Sequence, residues 1–148
     1  MSDCSAVGEE NSFDLIIVGA GSAGFSAAIT AAELGKTVAV IGGGTIGGTC
    51  VNVGCVPSKT MIRAADVMQA GASAKRFNGI SADAKLVSWA DVVAHKNELV
   101  WELRQAKYTD LLPQYETLKY IEGMGKLVSG GVAVDGKLYI SNKIIITT

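Results

Sequence analysis

An α/β fold with a parallel sheet, helices packed on it and a small antiparallel β-meander is predicted by three observations. Short continuous apolar runs at Phe13–Val18 (FDLIIV), Thr37–Ile41 (TVAVI) and Lys143–Thr147 (KIIIT) read as buried strands. A glycine turn and an alanine-rich helix separate the first two, and strand–turn–helix–strand is a βαβ unit with parallel pairing. Near the carboxyl end, short runs are punctuated by glycine pairs of the kind that close hairpins.

The elements follow in order. The first twelve residues are polar and expected to be disordered, leaving 13–148 as the folded domain. After the first strand, Gly19–Gly24 forms a turn and Ser26–Leu34 a helix, with Gly35 where a helix-ending positive φ is expected. The loop Gly42–Gly48 follows the second strand, and a helix runs from Ser58 to about Met68. Residues 71–87 are a connection. Ser88 with Asp91 reads as a capping box opening a helix that extends to about Leu112, stopped by Pro113. On that helix Trp89, Val92, Val93, Leu99, Val100 and Leu103 fall near one face, with Lys96, Glu98, Glu102 and Arg104 toward solvent. Leu118–Ile121 is a third parallel strand. Lys126–Ser129, Val132–Val134 and Lys137–Ile140 form the meander, turning at Gly130-Gly131 and Asp135-Gly136.

Composition excludes several function classes. Thirteen basic residues against 14 acidic ones leave a net charge of −1, so neither a nucleic-acid partner nor a basic partner is indicated. No apolar run reaches the roughly 20 residues of a membrane helix. The amino terminus lacks the basic and apolar regions of a signal peptide, so a cytoplasmic location is expected. There, three cysteines point to catalysis or metal binding before structural bridges.

The first motif is GAGSAG, Gly19–Gly24, which fits G-x-G-x-x-G between strand and helix. Gly19 makes the tight turn and Gly21 admits a pyrophosphate to the backbone, while Gly24 lets helix and strand pack. Ser22 and Ala23 lie between them at the helix amino end, whose amides and dipole favour phosphate. One position departs from the pattern. An acid for the ribose hydroxyls is expected at the end of the second strand, and Gly42 stands there. Losing a carboxylate–hydroxyl bond costs about 1.5–3 kcal/mol of affinity unless water or a neighbour substitutes.

The second motif is GGTCVNVGCVPSK, Gly47–Lys59. On a regular helix residues five apart project about 140° from one another, with Cα atoms more than about 7 Å apart. A disulfide needs roughly 4.4–6.8 Å. Cys50 and Cys55 can therefore bond only if the backbone between them leaves the helix, a distortion Gly54 makes cheap. Pro57 suits the first turn of the next helix, where the dipole favours a thiolate. Such a pair is built to cycle between dithiol and disulfide. A structural bridge, a zinc site and two inert thiols are the competing readings. Zinc would need two more ligands, and the candidates Cys4 and His95 lie far off in sequence.

These residues carry a resemblance. GGTCVNVGCVPSK is similar to the redox-active segment of the class I flavoprotein disulfide reductases, a group that includes dihydrolipoamide dehydrogenase, glutathione reductase and mercuric reductase. The continuation CVNVGCVPSKTMIRAA and the helix KNELVWELRQAKYTDLL (Lys96–Leu112) most resemble the mercuric reductase branch. The likeness covers Phe13–Thr148. It implies a Rossmann-like FAD-binding domain, with FAD along Gly19, Gly21, Ser22, Ala23 and Gly24. It also implies cofactor contacts at Gly42, Gly44, Gly48, Thr49, Lys59 and Gly125.

By the same resemblance Cys55 is the thiol nearest the flavin, Cys50 the outer thiol that meets substrate, and Lys59 the cation beside the reactive ring edge. Electrons would pass from NADPH through FAD to the pair. Hg(II), a soft cation that prefers two thiolates, would be the metal substrate held by Cys50 and Cys55. The family's nicotinamide and dimerisation domains are not in these residues. The resemblance therefore implies a piece of a longer homodimeric enzyme that does not turn over by itself. A dihydrolipoamide dehydrogenase or other disulfide reductase stays open, as does a stand-alone flavin- or metal-binding module. His95 is expected at the surface, and Trp89, Trp101 and the methionines in packing.

Overall fold

A computed structural model describes residues 11–148. It divides into two compact units, one of the described residues up to Gly48 together with Ala106–Thr148, and one of Thr49–Gln105.

The first unit is built on a four-stranded parallel sheet of order β3-β2-β1-β7. Its members are β1 (Leu15–Val18), β2 (Val38–Gly42), β3 (Leu118–Glu122) and β7 (Ile144–Ile146). All five residues of β2 are buried, as a central strand covered on both faces requires. The helix α1 (Ser22–Glu33) packs on β1 and β2, burying Phe25, Ala28 and Ala32. The other sheet face meets a three-stranded antiparallel meander of β4 (Lys126–Val128), β5 (Gly131–Val134) and β6 (Lys137–Ile140). Ile16, Ala39, Ile41 and Ile121 of the sheet form one core with Val132, Val134 and Tyr139 of the meander.

The second unit is helical, with α2 (Gly48–Asn52) leading into it, then α3 (Cys55–Ser73), a 3-10 turn at Ala74–Arg76, and most of α4 (Trp89–Lys107). No residue of α3 is buried. Among the described residues no helix is long and apolar enough to cross a membrane.

Several boundaries differ from the sequence expectation. The helix α1 begins at Ser22 rather than Ser26, because the Phe25 amide already closes a helical bond on the Gly21 carbonyl at 3.0 Å. The helix α3 begins at Cys55 rather than Ser58, since Pro57 in the first turn needs no amide bond. At α4 the Ser88 hydroxyl accepts the Asp91 amide at 3.2 Å, supplying one half of the expected box. That helix ends at Lys107, and Pro113 sits inside a separate 3-10 turn, Thr109–Gln114.

The first meander turn is Ser129-Gly130, because Gly131 already pairs with Val128 in β5. The second is Asp135-Gly136 with φ of 49° and 81°, as a two-residue hairpin demands. The strand β7 is an edge strand with Ile145 and Ile146 exposed, not a buried one. At the amino end, residues 1–10, Cys4 among them, lie outside the described residues. Ser12 was expected to be disordered but bridges to Ile140. Trp89, Trp101, Met68 and Met124 are exposed rather than packed. Arg104 turns toward the protein, donating to Asn52 Oδ1 at 3.1 Å.

Candidate functional site

In the first unit, chemistry-bearing groups collect at the carboxyl ends of β1 and β2, where open α/β sheets bind ligands. Gly19 leaves β1 with φ of 123°, its amide donating to the Ile41 carbonyl at 2.8 Å. A side chain on Gly24 would overlap the Gly19 carbonyl oxygen, so the turn can fold back on α1 only with glycine there. Gly21 precedes α1 in extended conformation, and no side chain caps the helix. A methyl group on Gly21 would have only Gly48 Cα nearby, at 3.8 Å. Bare backbone at the head of a 12-residue helix, with Ser22 and Ala23 exposed in its first turn, fits a pyrophosphate.

The loop after β2 frames the same place. Gly47 bridges to Gly21, its amide donating to the Ala20 carbonyl at 2.8 Å. A Cβ on Gly48 would stand 2.8 Å from Gly21 Cα, so the two backbones touch. Gly44 is exposed, with open space where a side chain would project. Gly125 packs its backbone on Ile41, Val18 and Val132. Ser22 and Ala23 open α1, both exposed.

Sequence reasoning missed Tyr108. Its hydroxyl lies 2.9 Å from Ser22 Oγ, and its ring meets Phe25 edge-on at 4.9 Å between centroids. Buried Tyr108 thereby ties the first turn of α1 to the chain just after α4. Nothing local marks it, because Ser22 is 86 residues away.

In the second unit the cysteines straddle a break between α2 and α3. The amides of Val53 and Gly54 both donate to the Thr49 carbonyl, at 3.0 and 2.7 Å, ending α2. Gly54, with ψ of −110°, redirects the chain, and its carbonyl accepts the Ser58 amide at 3.1 Å to start α3. Cys55 is thus the first residue of α3. Both Cys50 and Cys55 are exposed free thiols, and Thr49 and Lys59 are exposed as well.

The two thiols interact. A hydrogen bond to Cys55 pushes the Cys50 thiol above the ordinary cysteine range, helped by lost solvation and by the charge of Cys55. The Cys55 backbone amide and the Lys59 ammonium pull the other way. Two thiols in such contact can exchange two electrons and two protons with a disulfide, or clamp one soft metal ion. His95 is exposed on α4 along a shallow groove with Lys59 and Arg63.

A sequence model of the pyridine nucleotide-disulphide oxidoreductases matches residues 13–148. The chain belongs to that family. Within it, the mercuric reductase of Lysinibacillus sphaericus is 41% identical over 140 residues, 94% of this chain and 25% of the relative. That of Bacillus cereus is 43% identical over 137 residues, 92% of this chain and 21% of the relative. Dihydrolipoyl dehydrogenase 3 of Pseudomonas putida is 38% identical, covering 83% of this chain and 26% of the relative. The chain thus spans about a quarter of the length of these curated relatives. Among solved structures, the HOCl-induced flavoprotein disulfide reductase RclA from Escherichia coli superposes with a TM-score of 0.73 at 28% identity, covering 91% of this chain and 28% of that one. The α/β frame with its meander is therefore a frame shared with family flavoproteins.

Proposed function

We propose that this chain is the FAD-binding part of a mercuric reductase, with Cys50 and Cys55 as its redox-active pair. The observation that carries the reading is the placement of two exposed thiols on either side of the Gly54 break, Cys50 within α2 and Cys55 opening α3. Identities of 41% and 43% to two mercuric reductases support the choice of substrate.

FAD, when bound, supplies a two-electron carrier between a nicotinamide and a dithiol. The bare head of α1, with Gly19, Gly21, Ser22, Ala23, Gly24 and the facing Gly48, would hold the pyrophosphate. Gly42, Gly44, Thr49 and Gly125 would hold the rest of the cofactor. With FAD bound, Cys55 would be the thiol next to the flavin, and Lys59, one turn further along α3, would supply a cation able to stabilise negative charge on it. Cys50 is the outer thiol that meets substrate. The net reaction is Hg(II) plus NADPH giving Hg(0), NADP⁺ and a proton, so two electrons leave the nicotinamide and two reach the metal. In this reading NADPH binding and homodimer contacts belong to the three quarters of the relatives that this chain does not span, and the protein works in the cytoplasm.

Titration of the reduced chain with HgCl₂ tests the assignment. One equivalent should remove both thiols from reaction with a colorimetric disulfide reagent, and Cys50→Ala or Cys55→Ala should weaken Hg(II) retention against a competing dithiol by orders of magnitude. Single variants that hold Hg(II) as tightly as the parent would sink it. Reduction of oxidised lipoamide in preference to Hg(II) would move the substrate toward that of the Pseudomonas relative.

A further inference from the structure

The end of β2 is where a dinucleotide-binding βαβ unit keeps an acid for the ribose hydroxyls, and Gly42 occupies that place. The structure leaves no room for an acid there. A Cβ on Gly42 would lie 2.6 Å from the Ala20 methyl and 3.1 Å from the Tyr120 hydroxyl. Tyr120 fills the space instead, donating to the Gly42 carbonyl at 3.4 Å.

One strand over, the register pairs Gly42 with Glu122. The Gly123 amide donates to the Gly42 carbonyl at 2.9 Å, holding the ends of β2 and β3 together. Tyr120 and Glu122 are two apart on β3 and so share a face. Tyr120 shows that this is also the face of the vacant Gly42 side chain, because its hydroxyl reaches that position. Burial and then the negative charge of Glu122 push the Tyr120 hydroxyl above the ordinary phenol range, as a nearby carboxylate must. Glu122 itself is exposed at the carboxyl edge of the sheet.

We propose that Glu122 is the ribose-binding acid of this chain, the carboxylate having moved from the end of β2 to the neighbouring position on β3. Its ligand is an adenosine diphosphate moiety with free 2′- and 3′-hydroxyls, both donating to the carboxylate. A 2′-phosphate would meet like charge and be rejected. The inference rests on the dinucleotide-site reading of the α1 turn.

The test is FAD binding to the full chain by quenching of flavin fluorescence, with ADP and 2′-deoxy-ADP as competitors and FMN as a ligand lacking the ribose. Glu122→Gln should weaken FAD about tenfold or more, erase the advantage of ADP over 2′-deoxy-ADP, and leave FMN unchanged. Full affinity and an intact ADP preference in Glu122→Gln would overturn the inference while the flavin site stands. Equal weakening of FMN and FAD would overturn it as well, since the effect would then not lie at the ribose. A parent chain that binds neither FAD nor ADP would overturn the dinucleotide reading and this inference with it.

Discussion

Gly54 sits against the end of α2 so closely that a methyl group on it would stand 2.9 Å from the Thr49 carbonyl oxygen and 3.4 Å from Cys50 Cα. That oxygen already takes the amides of Val53 and Gly54, so it cannot move without loosening the turn. Real Cβ atoms do not approach backbone this closely, and the chain would have to open between the cysteines. Gly54→Ala should destabilise by about 1–3 kcal/mol and slow closure of the Cys50–Cys55 disulfide. Urea midpoints and oxidation kinetics check both. A variant that oxidises at the parent rate would show that the break tolerates a side chain.

The titration of Cys50 depends on its partner. Because the hydrogen bond to Cys55 raises the Cys50 pKa, Cys50 should ionise at higher pH than an ordinary thiol, whose pKa is near 8.5. Cys55→Ala removes the largest cause, so the alkylation profile of Cys50 should shift to lower pH and its rate at pH 8 should rise. The charge of Lys59 favours the thiolate, so Lys59→Met should shift the profile slightly upward. Iodoacetamide rates against pH measure each shift. A Cys50 profile unmoved by Cys55→Ala would remove the thiol–thiol contact.

Tyr108 connects the first turn of α1 to the chain after α4. Tyr108→Phe keeps the edge-on contact with Phe25 but loses the bond to Ser22. The cost should be about 0.5–1.5 kcal/mol, whereas Tyr108→Ala should cost about 3–5 kcal/mol by emptying a buried ring site. Thermal unfolding separates the two. Equal losses would mean that the hydroxyl, and not the ring, holds the turn.

Asp14 gives stability a pH dependence of known sign. Its carboxylate accepts the Thr37 amide at 2.9 Å and the Thr37 hydroxyl at 3.1 Å, which lower its pKa. A depressed folded-state pKa contributes stability that is complete above the unfolded value, near 3.9, and is lost as pH falls through the lower folded value. The difference in stability between the parent and Asp14→Asn should therefore shrink as pH drops from 5 to 2. A difference constant across that window would assign the effect to lost hydrogen bonds alone.

Much of this protein was legible in the sequence because the relevant physics is local. Continuous apolar runs marked β1 and β2, since a strand covered on both faces needs no polar alternation. The positive φ demanded by a two-residue hairpin marked Asp135-Gly136. Spacing meant that Cys50 and Cys55 could bond only if the chain left the helix between them, and Gly54 was the residue that could let it. Other features came only from the tertiary structure, because they depend on which distant residues meet. Ser22 finds Tyr108 across 86 positions. Ile145 and Ile146 look like core residues, yet β7 lies at an edge of the sheet and leaves them exposed. The chain by itself shows Gly42 as a missing acid. The parallel register of β2 with β3 sets Glu122 beside it, and register is a property of paired strands that neither segment carries alone.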